Sequence, residues 1–217
     1  MENFRPLNLW LSLAVAMIAI VFNACDKDDD ALTTDKGVVI DSVKWATRNV
    51  GSPGKFVARQ GDAGMFYQWN RKVAYSSTGD YVANWDTANP EGDAWERIND
   101  PCPAGWRIPT LAEIEILLDT EKVSNEWTTV NGVNGRSFTD KETGNSLFLP
   151  ITGFRGYSNG LLSDADLSNE DHQGGYYWSA TKVDKGNAYY LLFNKNKILW
   201  YENYFNFGFN VRCVEIN

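Results

Sequence analysis

Only one stretch of this chain combines helical spacing with a helix start. Thr110 suits an N-cap and Glu113 stands three residues later, the pairing of a capping box. Leu111, Ile114, Leu117 and Leu118 follow at helical spacing, so one face of this helix is expected to pack on a core. Elsewhere the chain reads as short strands between turn residues. The class is therefore α+β or mostly β.

The strand signals are β-branched and aromatic runs. Val38-Val39-Ile40-Asp41-Ser42-Val43-Lys44-Trp45-Ala46 shows partial alternation, and residues 65–69, 146–151 and 176–181 read as further strands. Residues 188–193 and 197–201 flank Asn194-Lys195-Asn196, a hairpin signal. Residues 209–216 are expected to form the last strand, with Cys213 inside it. Residues 51–64 are punctuated by Gly and Pro, and residues 70–99 form a long loop region pinned by Trp85 and Trp95.

The N-terminus has a different character. Arg5 precedes residues 9–22, which are apolar apart from Ser12, and Asn23-Ala24-Cys25 follows. An apolar run of about 7–15 residues ending at a small residue is an export signal, and a spanning helix needs about 20. Residues 1–24 are thus expected to be a lipoprotein signal peptide; an ordinary cleaved signal peptide with a chance Cys, or an uncleaved anchor, is the alternative. Ala24 directly before Cys25 resembles the lipobox of bacterial lipoproteins, which implies lipid on Cys25 and an outer-membrane anchor. Asp26-Lys27-Asp28-Asp29-Asp30 makes residues 25–36 an expected acidic, flexible tether. That run also resembles the surface-export signal of Bacteroidota lipoproteins, implying a domain, residues 37–217, that faces the cell surface.

Charge and cysteine usage narrow the partners. A net charge of -8 argues against nucleic acid, which demands basic patches. With Cys25 committed to lipid, Cys102 and Cys213 remain, and an exported chain is expected to pair them. Two buried free thiols are the alternative. His172 is the one histidine and lies in a polar run, so it reads as a solvated loop residue rather than a zinc ligand or catalytic base. No metal or cofactor is expected.

Five motifs then come in order: Trp45-Ala46-Thr47-Arg48-Asn49-Val50-Gly51; Cys102-Pro103-Ala104-Gly105-Trp106-Arg107-Ile108-Pro109-Thr110 with Glu113; Leu149-Pro150-Ile151-Thr152-Gly153-Phe154-Arg155; Tyr177-Trp178-Ser179-Ala180-Thr181; and Val211-Arg212-Cys213-Val214. Together they resemble the Fibrobacter succinogenes major paralogous domain of Bacteroidota surface lipoproteins. That family is similar in turn to the C-type lectin-like fold and to its formylglycine-generating branch. The resemblance implies small twisted antiparallel sheets, one or two helices and long irregular loops. It also implies a bridge between Cys102 and Cys213.

The chemistry of those relatives does not carry over. Formylglycine-generating enzymes use additional cysteines that this domain lacks, and the calcium-binding Glu-Pro-Asn, Gln-Pro-Asp and Trp-Asn-Asp triplets of true lectins are absent. Asp164, Asp166 and Ser168 echo a calcium loop, but Asn169 stands where the turn Gly belongs, so an ordinary acidic loop is the better reading. No pair of carboxylates stands out for glycoside hydrolysis. The expectation is a non-catalytic binding module for an extracellular glycan or protein. An adhesin or appendage component is the alternative, and a glycan hydrolase a distant third.

The candidate binding residues lie near the C-terminus: Tyr189, Tyr190, Asn194, Asn196, Trp200, Tyr201, Asn203, Tyr204 and Asn206. Aromatic faces stack on sugars or flat protein surfaces, and Asn amides both donate and accept. Alternate residues of these strands are expected inside, Leu191, Phe193 and Leu199 among them. The Asn-Tyr pattern before Phe207 also resembles the diversified region of lectin-like variable proteins.

Overall fold

The computed structural model describes Met1, residues 31–165 and residues 173–216. The signal segment, Cys25, the run from Asp26 to Asp30, and Asp166, Ser168 and His172 lie outside the described residues.

The strands are short because turn residues interrupt every run. β1 (Val38–Ile40) and β2 (Val43–Trp45) form a hairpin across Asp41, whose φ is 43°. This pair joins β14 (Val214–Glu215) and β5 (Trp106–Arg107) in a four-stranded sheet ordered β1-β2-β14-β5, so both ends of the domain meet in one sheet. β3 (Phe66–Tyr67) pairs with β4 (Ala74–Tyr75), and β9 (Phe154–Arg155) with β10 (Leu162–Ser163). Two three-stranded meanders complete the set. One is β6 (Val123–Val130), β7 (Val133–Asp140) and β8 (Ser146–Pro150); the other is β11 (Gly175–Lys182), β12 (Asn187–Phe193) and β13 (Ile198–Tyr204). The β6–β7 hairpin turns on Asn131-Gly132, both with positive φ, the conformation a two-residue type I′ turn requires.

Helix α1 (Leu111–Leu118) forms where the capping box places it. Thr110 Oγ1 accepts from Glu113 N, and Thr110 N donates to the Glu113 carboxylate at 2.7 Å. Ile114 and Leu117 are its buried residues. Burial opposes ionisation of Glu113, but the bidentate Arg107 guanidinium and the Thr110 donors outweigh it and hold the carboxyl below its ordinary range. This contribution to the helix start is present above the unfolded-state pKa and is lost as pH falls through the depressed one.

Two core clusters lie side by side. One gathers Trp69, Trp95, Trp178, Phe205 and Phe209 around the disulfide; the other gathers Trp45, Ile114, Leu117, Phe138, Leu149 and Phe193 under α1 and β6–β8. Trp69 stacks on Phe205 at 4.4 Å and donates to Ser179 O. Cys102 and Cys213 are bonded, with Cα atoms 6.1 Å apart.

The last strand is shorter than residues 209–216, and Cys213 lies just before it. Residues 205–211 bond to several different segments in turn rather than to one neighbour. Phe205 O accepts from Trp69, Gly208 exchanges bonds with Arg155, Phe209 with Tyr67, Asn210 bridges Tyr176 and Trp178, and Val211 O accepts from Val50. The C-terminal segment is thus a thread held between β3, β9 and β11.

Residues 31–36 are docked on the domain and do not belong to a flexible tether. The Asp35 side chain is 1% exposed. It accepts from Gly37 N, Thr47 N, Thr47 Oγ1 and Arg48 Nε. Arg48 also donates to Ala31 O, Thr34 O and Val57 O. A buried, multiply bonded carboxylate holds a segment that its acidic composition alone would leave solvated. We expect Asp35→Asn to speed proteolytic cutting within residues 31–36 by about tenfold or more, with little change in the melting of the core. Timed proteolysis read by mass spectrometry checks it.

Candidate ligand-binding surface

The β11-β12-β13 sheet divides the sequence-selected residues between its two faces. Cross-strand pairs set Tyr190 opposite Tyr201 and Ala188 opposite Asn203 on one face; Leu191 opposite Trp200 and Tyr189 opposite Glu202 lie on the other. Tyr189 packs its edge against Trp200, with centroids 5.3 Å apart, on the α1 side. Trp200 and Tyr201 therefore do not share a surface.

Several of the selected residues have structural tasks. Tyr190 is buried, because β12 is a central strand and Phe209 lies 4.6 Å from its ring. Asn194 Oδ1 accepts from Asn196 N and Lys197 N and so closes the hairpin, leaving Asn196 exposed at its tip. Asn203 hydrogen-bonds the Tyr190 hydroxyl, and its Oδ1 accepts from Tyr204 N. Asn206 is 9% exposed and donates to Thr87 O. Leu191 and Phe193 are inside as expected; Leu199, on an edge strand, is only half-buried.

What the fold brings together is a chain of rings that starts on the Tyr190 face. From the exposed Tyr201 it runs to Tyr190 at 6.5 Å, Tyr176 at 6.1 Å and Phe154 at 4.7 Å. It continues to Phe207 at 5.7 Å, Tyr157 at 5.2 Å and Tyr204 at 5.6 Å. Tyr176, Phe154 and Phe207 are half-buried and form a floor between exposed ends. Those ends are Tyr201 at 57%, Tyr204 at 54% and Tyr157 at 49% exposure. At the end of β13, Phe207 N bonds back to Tyr204 O, and the Tyr204 ring lies against Tyr157.

Tyr157 was not among the residues singled out in the sequence. It stands in Gly156-Tyr157-Ser158-Asn159-Gly160, a Tyr/Ser/Asn/Gly composition typical of adaptable binding loops. The loop is rigidly seated. Trp85 Nε1 donates to Tyr157 O, and the buried Arg155 guanidinium bonds Ser76 O, Thr78 O, Asp80 O and Gly160 O.

The polar chemistry of this surface is that of neutral hydroxyls. Burial pushes Tyr190 up to about 12. Burial, with the hydrogen bond to Asp164, also pushes Tyr176 far above its ordinary value. Both keep their protons at neutral pH, Tyr176 giving its own to Asp164, and they stand in an apolar floor that suits stacking. An open pocket of about 580 Å³ elsewhere is lined by Asn70, Arg71, Glu91 and Glu96 among others. Arg71 there is paired with Asp86 and Ala88 O.

The motif residues themselves build the frame. Arg212 donates to Asn49 Oδ1 and Ala46 O, tying the first motif to the last. Trp178 donates to Tyr67 O, and Arg155 anchors two loops. No curated protein and no solved structure matches the chain. The family model described as the Fibrobacter succinogenes major domain matches residues 26–215. That span takes in all five motifs and the whole aromatic surface, and the chain belongs to the Fibrobacter succinogenes major domain family.

Proposed function

We propose that this chain is an outer-membrane lipoprotein, anchored through Cys25, whose domain binds an extracellular glycan or protein without catalysis. The observation that carries the binding reading is the run of exposed rings Tyr157, Tyr204 and Tyr201 on a half-buried aromatic floor. Exposed tyrosines at this density are enriched at binding sites, where a ring offers a large contact for few rotatable bonds. The anchor reading rests on the apolar N-terminal run and Ala24-Cys25. The finer fold assignment, a C-type lectin-like domain, is part of the proposal. Supporting it are the ordered motifs, the small antiparallel sheets and a bridge from the segment before α1 to the segment before β14.

Docking of residues 31–36 shortens the leash. An extended chain from Cys25 to residue 31 reaches about 20 Å, so the domain stays close to the bilayer in this arrangement. The test is an array of glycans and envelope proteins probed with the full chain. We expect Tyr157→Ala combined with Tyr204→Ala to weaken binding of a captured ligand by about tenfold or more. Both side chains are half-exposed, so folding is expected to change little. Undiminished affinity in the double variant overturns the site assignment.

A further inference from the structure

β13 is the outer strand of its sheet, and its free edge has the chemistry of an unfinished ladder. Asn194 N donates to Lys197 O at the hairpin end, and the pairs proceed from Phe193 with Ile198 to Asn187 with Tyr204. Hydrogen-bonded and non-hydrogen-bonded pairs alternate in an antiparallel ladder. Leu199, Tyr201 and Asn203 therefore turn their backbone groups toward β12, and Ile198, Trp200 and Glu202 turn theirs outward. Among the described residues, no backbone group bonds those outward-facing N–H and C=O groups.

Edge strands of monomeric proteins are usually protected by brevity, proline, lysine or a bulge. β13 is seven residues long, Ile198-Leu199-Trp200-Tyr201-Glu202-Asn203-Tyr204, with no proline, no lysine and no break in its register with β12. Of the other long edge strands, β11 is covered by bonds to Asn210 and Pro109, and β6 carries Ser124, Asn125, Glu126, Thr128 and Thr129. On β13, Trp200, Tyr201 and Tyr204 are all exposed.

We infer that β13 pairs antiparallel with β13 of a second copy of this chain, joining two three-stranded sheets into one of six strands. The outward groups permit only registers that place even-numbered positions opposite even-numbered ones. Centring on Trp200 engages every outward group: Trp200 faces Trp200 of the second copy and Ile198 faces its Glu202. Tyr204 takes no part, because its N–H donates to Asn203 Oδ1 and its C=O accepts from Phe207 N. Aromatic side chains meet at the axis, and no like charges stand opposite. Moving the centre to Glu202 opposes two carboxylates, and moving it to Tyr201 sets Ile198 opposite the already bonded Tyr204. The self-complementary register is the reason for choosing a second copy over an unrelated strand. The pairing does not rest on the ligand reading, but it would join two aromatic surfaces at the two-fold axis and make binding bivalent.

Sedimentation of the full chain in detergent across a concentration series tests this. A monomer–dimer equilibrium is expected. Glu202→Pro removes an outward N–H that the β12 ladder does not use, and it should weaken the association by about tenfold or more. Trp200→Asp, at an exposed position, sets two like charges at the axis and reports the same loss if proline disturbs the sheet. Trp200→Cys should cross-link on oxidation well above the unmodified chain, because the two Cβ atoms lie about 5 Å apart across the axis. Asn203→Cys should not, since its counterpart lies six residues along, on the order of 20 Å away. A monomer at every concentration, a dimer indifferent to both disrupting variants, or equal cross-linking of the two cysteine variants overturns the inference.

Discussion

Replacing Cys102 and Cys213 together by alanine is expected to lower the melting temperature by roughly 8–20 °C. The two residues are 111 positions apart, so the bond closes a very large loop in the unfolded chain. In the chain-entropy account such a closure is worth about 4–5 kcal/mol, and a domain of this size shifts by about 2–4 °C for each kcal/mol. The location adds a further reason. Cys213 ends the thread of residues 205–213, which holds β3, β9 and β11 by backbone bonds. Cys102 and Cys213 are both buried, so alanines leave little unsatisfied polarity and the loss reads the bond itself. Calorimetry of oxidised, reduced and double-alanine chains checks this. Equal melting temperatures for all three would show that the thread is held without the bond.

Arg155→Met should destabilise the fold by about 3–5 kcal/mol and abolish ligand binding well before the domain unfolds. The Arg155 side chain is 0% exposed and bonds four carbonyls from two loops at 2.8–3.0 Å. Each carbonyl left buried without a donor costs about 1–3 kcal/mol, and relaxation of the loops toward water recovers part of that. Residues 76–80 and 156–160 therefore loosen first, and with them the seat of Tyr157. Lysine at this position should rescue little, because one ammonium cannot replace a planar fork across four acceptors. Denaturant melts give the stability term. Hydrogen exchange in the two loops separates local opening from global loss.

The contrast between Arg155 and Tyr157 shows what could be read in the chain before its fold was known. Local signals were legible. The helix followed from Thr110 and Glu113, the hairpin at residues 194–197 from its Asn-rich turn, and the disulfide from simple cysteine arithmetic. The β6–β7 hairpin carries a signal of the same kind in Asn131-Gly132. Long-range partners were not legible. Tyr190 looked like a surface ring, but β12 is covered on one face by Phe209 and on the other by the cluster around Phe193. Asp35 looked like part of a solvated acidic leader, but Arg48 and Thr47 reach back to it. Tyr157 carried no periodicity because it sits in a loop, and only the loop's composition marked it.

Candidate binding residues split in the same way. Alternation along β12 and β13 separates Trp200 from Tyr201, which strand parity alone could have told, whereas the meeting of Tyr204 with Tyr157 depends on a contact between distant segments. The site that results is smaller than the sequence-selected cluster: Tyr201 lies on the Tyr190 face, and Tyr204, opposite Asn187, meets Tyr157 from the last position of β13.

The most direct test of this account is the comparison of the full chain with its Tyr157→Ala, Tyr204→Ala double variant on one glycan and envelope-protein array, with melting temperatures measured in parallel. The account predicts at least one ligand bound by the native chain and weakened about tenfold or more in the double variant, at nearly unchanged melting temperature. Ligands retained equally by both proteins, or none retained by the native chain, would contradict it.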